Sequence, residues 1–129
     1  MGLEKKRAAS RPSHVLIAED DPSIRALLAD DLRRAGLAVS EAASADEALQ
    51  LYLSLDQVDL VFTDVQMPGS LDGLGLAARL TALDPTLPLI VTSGAVPQEA
   101  VNPAFGFIAK PFRMSNARRL VFSLLGREE

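Results

Sequence analysis

The sequence predicts an α/β fold in which one parallel sheet is covered by helices on both faces. Short apolar segments alternate with longer segments whose apolar residues recur every three to four positions, as in strands followed by helices. Five such strands within 129 residues fit a flavodoxin-like, doubly wound (βα)5 sandwich with strand order 2-1-3-4-5. A hydrophobic content of 48% is sufficient for one buried core.

Five short segments have the composition of buried strands. Most are rich in Val, Ile, Leu or Phe, which is typical of parallel strands with helices on both faces. They are "HVLIA", "AVSEA", "DLVFT", "LPLIVTS" and "FGFIA", at residues 14–18, 38–42, 59–63, 87–93 and 105–109.

The segments between these strands have helical periodicity and recognisable ends. Pro22 lies in the first turn of the first helix, and Gly36 marks its end. Ser44 and Glu47 have the spacing of a capping box, which predicts where the second helix begins. Helices are predicted over residues 21–37, 45–55, 74–83 and 116–126. The apolar face of the first helix is predicted to contain Ile24, Leu27, Leu28 and Leu32.

The connection between the fourth and fifth strands is too short for a regular helix. Only 16 residues separate Ser93 from Lys110, and both Pro97 and Pro103 lie between them. Proline interrupts a helix interior, and a helix of little more than one turn is marginal. We therefore expect the fourth helix, within residues 94–105, to be shortened or irregular.

The chain is expected to form one domain over residues 14–126, between a flexible basic tail at 1–13 and a short tail at 127–129. A net charge of −4 argues against a general nucleic-acid-binding surface. No apolar run approaches the roughly 18 residues of a membrane span, and no secretory signal is evident. The absence of cysteine excludes disulfides and thiolate metal sites and suits the cytoplasm.

Polar side chains follow the predicted strands at the points where the strands end. Glu19 and Asp20 follow the first strand and Asp64 follows the third, while Ser93 ends the fourth and Lys110 follows the fifth. The carboxyl ends of parallel strands meet at one edge of the sheet, and ligands bind in the crevice there. We therefore expect these five side chains to line one crevice.

Carboxylates gathered in one crevice are stable if a cation lies among them or if one of them is protonated. Oxygen ligands without His or Cys favour a hard cation such as Mg²⁺, for which Mn²⁺ can substitute. Asp20 and Asp64 would ligate it directly, Glu19 would hold a coordinated water, and the backbone carbonyl of Gln66 would complete the protein ligands. Asp21 is instead assigned to the N-cap of the first helix.

The same crevice has the groups needed to accept a phosphoryl group. Carboxylates act as nucleophiles toward phosphoryl groups, and the transfer depends mainly on positioning and charge neutralisation. Lys110 would neutralise one phosphoryl oxygen, Ser93 would donate a hydrogen bond to another, and the metal would take a third. The set is therefore complete for forming an aspartyl phosphate on Asp64.

The segments that carry these residues resemble the signature segments of a two-component response regulator receiver domain, of the single-domain, chemotaxis-regulator-like kind. They are "VLIAEDDPSIR", "DLVFTDVQMPGSLDGLGLA", "LPLIVTSG" and "FIAKPF". The resemblance implies that Asp64 is the phosphoacceptor and that Glu19 and Asp20 are the acidic pair of the metal site. It also implies that Ser93 is the switch hydroxyl and that Lys110 is the lysine of the active site.

Two further features are implied by the same resemblance. The bond between Lys110 and Pro111 would be cis. Phe107 would be the aromatic switch residue of the fifth strand, although an aromatic residue there is also typical of a plain core or edge position.

The resemblance also implies the partners and the kind of activity. The phosphoryl group would come from the phosphohistidine of a histidine kinase or a phosphotransfer protein. The domain would be a signalling phosphoacceptor that catalyses its own phosphorylation and dephosphorylation, not a conventional enzyme. A monomer or weak dimer would act on a downstream protein through the face made by the fourth helix, the fifth strand and the fifth helix, with no output domain on this chain.

Other interpretations stay open from the sequence. The chain could be a stand-alone regulator or a receiver excised from a hybrid kinase. A Mg²⁺-dependent aspartyl phosphatase usually has a second acid two residues after the nucleophile, where this chain has Gln66. A flavodoxin-like cofactor binder would need a phosphate-binding loop after the first strand, where this chain has "EDDPS". A degenerate receiver would serve only as a docking surface.

Overall fold

The computed structural model describes residues 11–129, in which a five-stranded sheet lies between two layers of helices. The strands are β1 (His14–Ala18), β2 (Ala38–Ala42), β3 (Leu60–Asp64), β4 (Leu89–Ser93) and β5 (Gly106–Ala109). Their order is β2-β1-β3-β4-β5, and every neighbouring pair is parallel. The predicted fold class and strand order are therefore confirmed.

Helices cover both faces of the sheet. They are α1 (Pro22–Arg34), α2 (Ala45–Ser54), α3 (Gly73–Leu83) and α4 (Met114–Leu125). Successive strand residues point to opposite faces, so Val15 and Ile17 pack with α1 and α4 while Leu16 and Ala18 pack with α2 and α3. Within residues 11–129, every helix is too short or too polar to cross a membrane.

The predicted shortening of the helix between β4 and β5, within residues 94–105, is confirmed. Between β4 and β5 the chain forms a single 3₁₀ turn, Gln98–Ala100, which begins directly after Pro97. Val101, the next residue, is buried with Val65 and Val91 in a small apolar cluster. Val91 belongs to β4, so the segment after the 3₁₀ turn packs on the sheet without forming a regular helix.

One residue of the predicted apolar face of α1 is wrongly assigned. Leu28 and Leu32 are buried together with Ala29, but the side chain of Leu27 is 60% exposed. Consecutive residues of a helix are about 100° apart. Leu27 therefore lies beyond the edge of the stripe formed by residues 28, 29 and 32, although its spacing of three residues from Ile24 fits an apolar face.

Helix α2 begins at the predicted cap, with one difference in its hydrogen bonds. The Ser44 Oγ accepts a hydrogen bond from the amide of Glu47 at 3.1 Å. The Glu47 carboxylate accepts one at 2.8 Å from the amide of Ala43, one residue before the N-cap. In a regular capping box the Glu47 carboxylate would accept from the amide of Ser44. Here it accepts from the preceding residue, Ala43.

We expect Ser44→Ala to lower the free energy of unfolding by about 1 kcal/mol, because the amide of Glu47 loses its acceptor. Chemical denaturation measures this loss. Ser54→Ala is the matched control, since the Ser54 hydroxyl only donates to the Leu51 carbonyl at the other end of α2. Its effect should stay within about 0.5 kcal/mol. Equal losses in the two variants would contradict this account of the cap.

Residues 1–10 of the predicted basic tail lie outside the described residues. The guanidinium of Arg11 lies 3.6 Å from the Asp59 carboxylate, and the Ser13 carbonyl accepts a hydrogen bond from the amide of Ala38. At the other end of the chain, Arg127 donates to the hydroxyl of Ser13 at 2.9 Å. Residues next to both predicted domain boundaries therefore contact each other.

Candidate functional site

The five predicted site residues lie together at the carboxyl edge of the sheet. Asp64 is the last residue of β3, Ser93 is the last residue of β4, and the other three follow β1 or β5. One carboxylate oxygen from each of Glu19, Asp20 and Asp64 lies within 4.8 Å of the others. The topology therefore produces the arrangement expected from the positions of the strand ends.

Asp64 is held by the central strand of the sheet. Residues Leu60–Asp64 are all buried, and Asp64 lies beside Thr92 in the register of β3 and β4. The amide of Val65 donates to the Thr92 carbonyl at 3.0 Å. The side chain of Asp64 is consequently only 8% exposed.

Lys110 joins two of the carboxylates. Its Nζ lies 2.7 Å from Oε1 of Glu19 and 3.0 Å from Oδ2 of Asp64. Partial burial disfavours the charged form of Lys110, but its hydrogen bonds to the two carboxylates outweigh this effect and raise its pKa. The Lys110 amide donates to the Ser93 carbonyl at 2.9 Å, and the bond between Lys110 and Pro111 is cis.

Glu19 and Asp20 have different environments despite being neighbours. Both oxygens of the buried Glu19 carboxylate accept hydrogen bonds, Oε1 from Lys110 and Oε2 from the amide of Asp21 at 3.1 Å. Burial raises the pKa of the Glu19 carboxyl, and these two donors oppose that effect. Asp20 is exposed. The Glu19 carboxylate is therefore already paired with Lys110, whereas the Asp20 carboxylate is open to a ligand from solvent.

Asp21 is directed away from the carboxylate cluster, as predicted. Its side chain accepts hydrogen bonds from the amides of Ser23 and Ile24 and forms the N-cap of α1. This leaves Glu19, Asp20 and Asp64 as the carboxylates of the site.

The charges and donors of the site fit a hard divalent cation. With three carboxylates ionised and Lys110 protonated, the site carries two negative charges, and its carboxylate ligands supply only oxygen. Asp20 shares a surface cleft with Val65 and Gln66. Gln66 is therefore beside the carboxylate that is most open to solvent, where its backbone carbonyl was predicted to act.

Ser93 connects the site to the segment that follows β4. Its buried Oγ accepts hydrogen bonds from the amides of Ala95 at 3.1 Å and Val96 at 2.9 Å, so its proton remains available to a ligand. Val96 packs against the apolar cluster that contains Val101, and so does Phe107. Phe107 is half-buried there and lies outside the carboxylate cluster.

Arg25 supports the site and is missed by the sequence analysis. Its guanidinium donates to the backbone carbonyl of Glu19 at 2.8 Å and lies 3.6 Å from the carboxylate of Glu41 on β2. The sequence does contain a signal for Arg25, because it lies in the first turn of the predicted helix. A basic residue there opposes the helix dipole and needs a partner.

Comparisons with known proteins agree with this geometry. A family model described as response regulator receiver domain matches residues 15–122. The chain is 42% identical over 120 residues to the C4-dicarboxylate transport transcriptional regulatory protein DctD of Rhizobium meliloti (strain 1021), covering 89% of this chain and 25% of that protein. It is 33% identical over 133 residues to sensor kinase CckA of Brucella abortus (strain 2308), covering 98% of this chain and 14% of that protein.

Similarity extends to solved structures. The crystal structure of a response regulator receiver protein from Sinorhizobium medicae WSM419 matches with a TM-score of 0.84 and 25% sequence identity, covering 92% of this chain and 98% of that one. The chain spans a quarter or less of the length of the two curated relatives named above.

Proposed function

This chain belongs to the response regulator receiver domain family, and from that premise we propose that Asp64 accepts a phosphoryl group from a phosphohistidine. The donor would be a histidine kinase or a histidine phosphotransfer protein. The proposal rests above all on the buried Asp64 carboxylate, which lies 3.0 Å from Lys110 and within 4.8 Å of two further carboxylates. This arrangement suits the transfer of one anionic group to another.

In the proposed transfer, a carboxylate oxygen of Asp64 bonds to phosphorus as the bond from phosphorus to the histidine nitrogen breaks. The departing imidazole nitrogen keeps the electron pair of that bond. Lys110 contacts Oδ2 of Asp64, whereas Oδ1 accepts no hydrogen bond from residues 11–129. Oδ1 is therefore the oxygen available for the new bond, and Lys110 is placed to neutralise charge on the incoming group.

The cation in this proposal is Mg²⁺, with Mn²⁺ as a substitute. Asp20, Asp64 and the backbone carbonyl of Gln66 would hold it, and Glu19 would orient a coordinated water. When bound, it supplies positive charge between the carboxylate nucleophile and the phosphoryl oxygens. The three carboxyl groups gathered within 4.8 Å and the cleft shared by Asp20 and Gln66 support this assignment.

Phosphorylation would act on the partner surface through Ser93. If the Ser93 side chain moves toward a phosphoryl oxygen to donate to it, its Oγ moves away from the amides of Ala95 and Val96, from which it accepts hydrogen bonds. Val96 packs against the same apolar cluster as Phe107. New charge-assisted hydrogen bonds would in this way favour a second arrangement of the 3₁₀ turn, β5 and α4.

We place this chain among signalling phosphoacceptors that act on another protein, in the cytoplasm. The curated relatives support this role, since one is named a transcriptional regulatory protein and another a sensor kinase. Catalysis by the chain would then be limited to its own phosphorylation and dephosphorylation, within a domain spanning residues 14–126.

Intact mass after incubation with a small acyl phosphate tests the proposal. We expect the mass of one phosphoryl group to be gained with Mg²⁺ and to be absent when the cation is chelated. A phosphorylated histidine donor provides the second arm, because some receivers require their protein donor. No gain from either donor in the presence of Mg²⁺ would overturn the phosphoacceptor assignment.

A further inference from the structure

The first residue of α3 lies directly against the main chain of Asp64. A methyl group built on Gly73 would overlap the Asp64 carbonyl oxygen, and it would lie 2.7 Å from the Asp64 carbonyl carbon and 2.9 Å from Cα of Val65. These atoms belong to the backbone, so no side-chain rotation could make room. Gly73 does not have a positive φ, and space is therefore the reason that glycine is needed.

A second residue contacts the same carbonyl group. The hydroxyl of Thr63, which is fully buried, donates to the Asp64 carbonyl oxygen at 2.9 Å. The amide of Gly73 donates to the Val65 carbonyl at 2.8 Å and closes the loop over residues 66–72. The main chain at Asp64 is thus held by a hydroxyl and by the close approach of a residue without a side chain.

We propose that Gly73 and Thr63 are positioning residues for the reaction at Asp64, an inference that rests on the function proposed above. Neither residue is assigned to the phosphoryl group or to the metal. They act through the Asp64 main chain, which sets where its carboxylate stands relative to Asp20 and Lys110.

The closed loop extends this effect to the metal site. Gln66 belongs to the loop that Gly73 closes, and it shares a cleft with Asp20. A side chain at position 73 forces either the Asp64 peptide or the start of α3 to move. The first movement displaces the Asp64 carboxylate and the second displaces Gln66, so both change the predicted metal ligands.

Gly75 provides a matched control in the same helix. A methyl group at Gly75 would lie 2.7 Å from Cδ1 of Leu71 and 3.3 Å from Oδ1 of Asp72, and both atoms belong to side chains that can move aside. Gly73→Ala and Gly75→Ala therefore make the same chemical change two residues apart. They differ in whether the obstacle is the backbone of Asp64 or a movable side chain.

The experiment compares Gly73→Ala, Gly75→Ala and Thr63→Val in the full chain. Calorimetric titration gives the Kd for Mg²⁺, intact mass gives the rate of phosphoryl uptake, and NMR gives the amide shifts of Asp64 and Val65 without metal. We expect Gly73→Ala to weaken Mg²⁺ binding by about ten- to a hundredfold, to slow uptake and to move both amide shifts. Thr63→Val should act in the same direction, whereas Gly75→Ala should match the parent chain.

A folded Gly73→Ala that matches Gly75→Ala in all three measurements would overturn the inference. If Gly73→Ala does not fold, Thr63→Val decides, because it removes the hydroxyl while keeping the shape of the side chain. Unchanged amide shifts and uptake in that variant would then reject the positioning role. A parent chain that neither binds Mg²⁺ nor gains a phosphoryl group would instead reject the proposed function. The amide shifts measured without metal would still show whether Gly73 positions the Asp64 main chain.

Discussion

Replacing Asp64 with Asn should abolish phosphoryl uptake, so that intact mass stays unchanged after incubation with acyl phosphate and Mg²⁺. The amide has nearly the size of the carboxylate but lacks its negative charge and is a poor nucleophile toward phosphorus. In addition, its NH₂ group is a donor that cannot pair with the ammonium of Lys110, which lies 3.0 Å from Oδ2 of Asp64. The loss should be complete because the new bond is made to this side chain.

The fold should survive this substitution. Lys110 keeps its contact with Glu19 at 2.7 Å, and the charge of Asp64 is one of the causes that raise the pKa of Glu19. Removing that charge relieves repulsion between two buried carboxylates. We therefore expect a melting temperature at or above that of the parent chain, which separates loss of chemistry from loss of structure.

Asp72→Asn is the matched control for this experiment. Asp72 lines the same cleft as Asp20, but its carboxylate caps α3 by accepting from the amide of Gly75. Asn is also a good N-cap residue, so this variant should fold and take up phosphoryl normally. A mass gain in Asp64→Asn equal to that in Asp72→Asn would refute Asp64 as the acceptor.

The second large effect is expected for Lys110→Met, which removes the ammonium group but keeps most of the side-chain stem. Phosphoryl uptake should slow by about 10²–10³-fold, the usual loss when one group that stabilises developing charge is removed. The initial rate of mass gain at saturating Mg²⁺ measures it. Arg119→Met, which removes an exposed cation from α4, should leave the rate unchanged.

Lys110→Met should also change how the fold responds to Mg²⁺. The buried carboxylates of Glu19 and Asp64 lose their common partner, and breaking a fully buried pair typically costs about 3–5 kcal/mol. The Lys110 side chain is 20% exposed, so the loss should be smaller. A bound ligand stabilises the folded state by mass action. Mg²⁺ should stabilise this variant more than the parent chain, because the carboxylates of Glu19 and Asp64 have lost their ammonium partner. The rise in melting temperature on adding Mg²⁺ should therefore be larger in Lys110→Met. Equal rises in the melting temperatures of the variant and the parent chain would show that the charges of Glu19, Asp64 and Lys110 do not share one site.

The general architecture could be predicted because its determinants are local and repeated. Strand length, helical spacing and capping residues such as Ser44 each act within a few positions along the chain. The candidate site followed from topology, since parallel strands bring Asp20, Asp64 and Lys110 to one edge once their order is known. These residues could be grouped without knowing a single distance.

Other features depend on contacts between distant segments and could not be predicted in this way. Arg25 donates to the carbonyl of Glu19 and also lies 3.6 Å from the carboxylate of Glu41, so its environment depends on where β2 lies beside β1. The exposure of Leu27 depends on the rotation of α1 against the sheet, which spacing alone does not determine. The overlap at Gly73 exists only because α3 begins against β3, whereas in the sequence Asp72 and Gly73 have the composition of an ordinary helix start.

The 3₁₀ turn between β4 and β5 also has a consequence for the entropy of the chain. Ile90 pairs with Gly106, 16 residues later, whereas Val61 pairs with Leu89 after 28 residues and Val15 pairs with Leu60 after 45. The entropic cost of closing a loop grows with the logarithm of its length. Pairing β5 with β4 therefore costs about 0.5 kcal/mol less than pairing β4 with β3, and about 0.9 kcal/mol less than pairing β3 with β1. Adding the four-residue edge strand β5 to the sheet therefore has the smallest loop-closure cost.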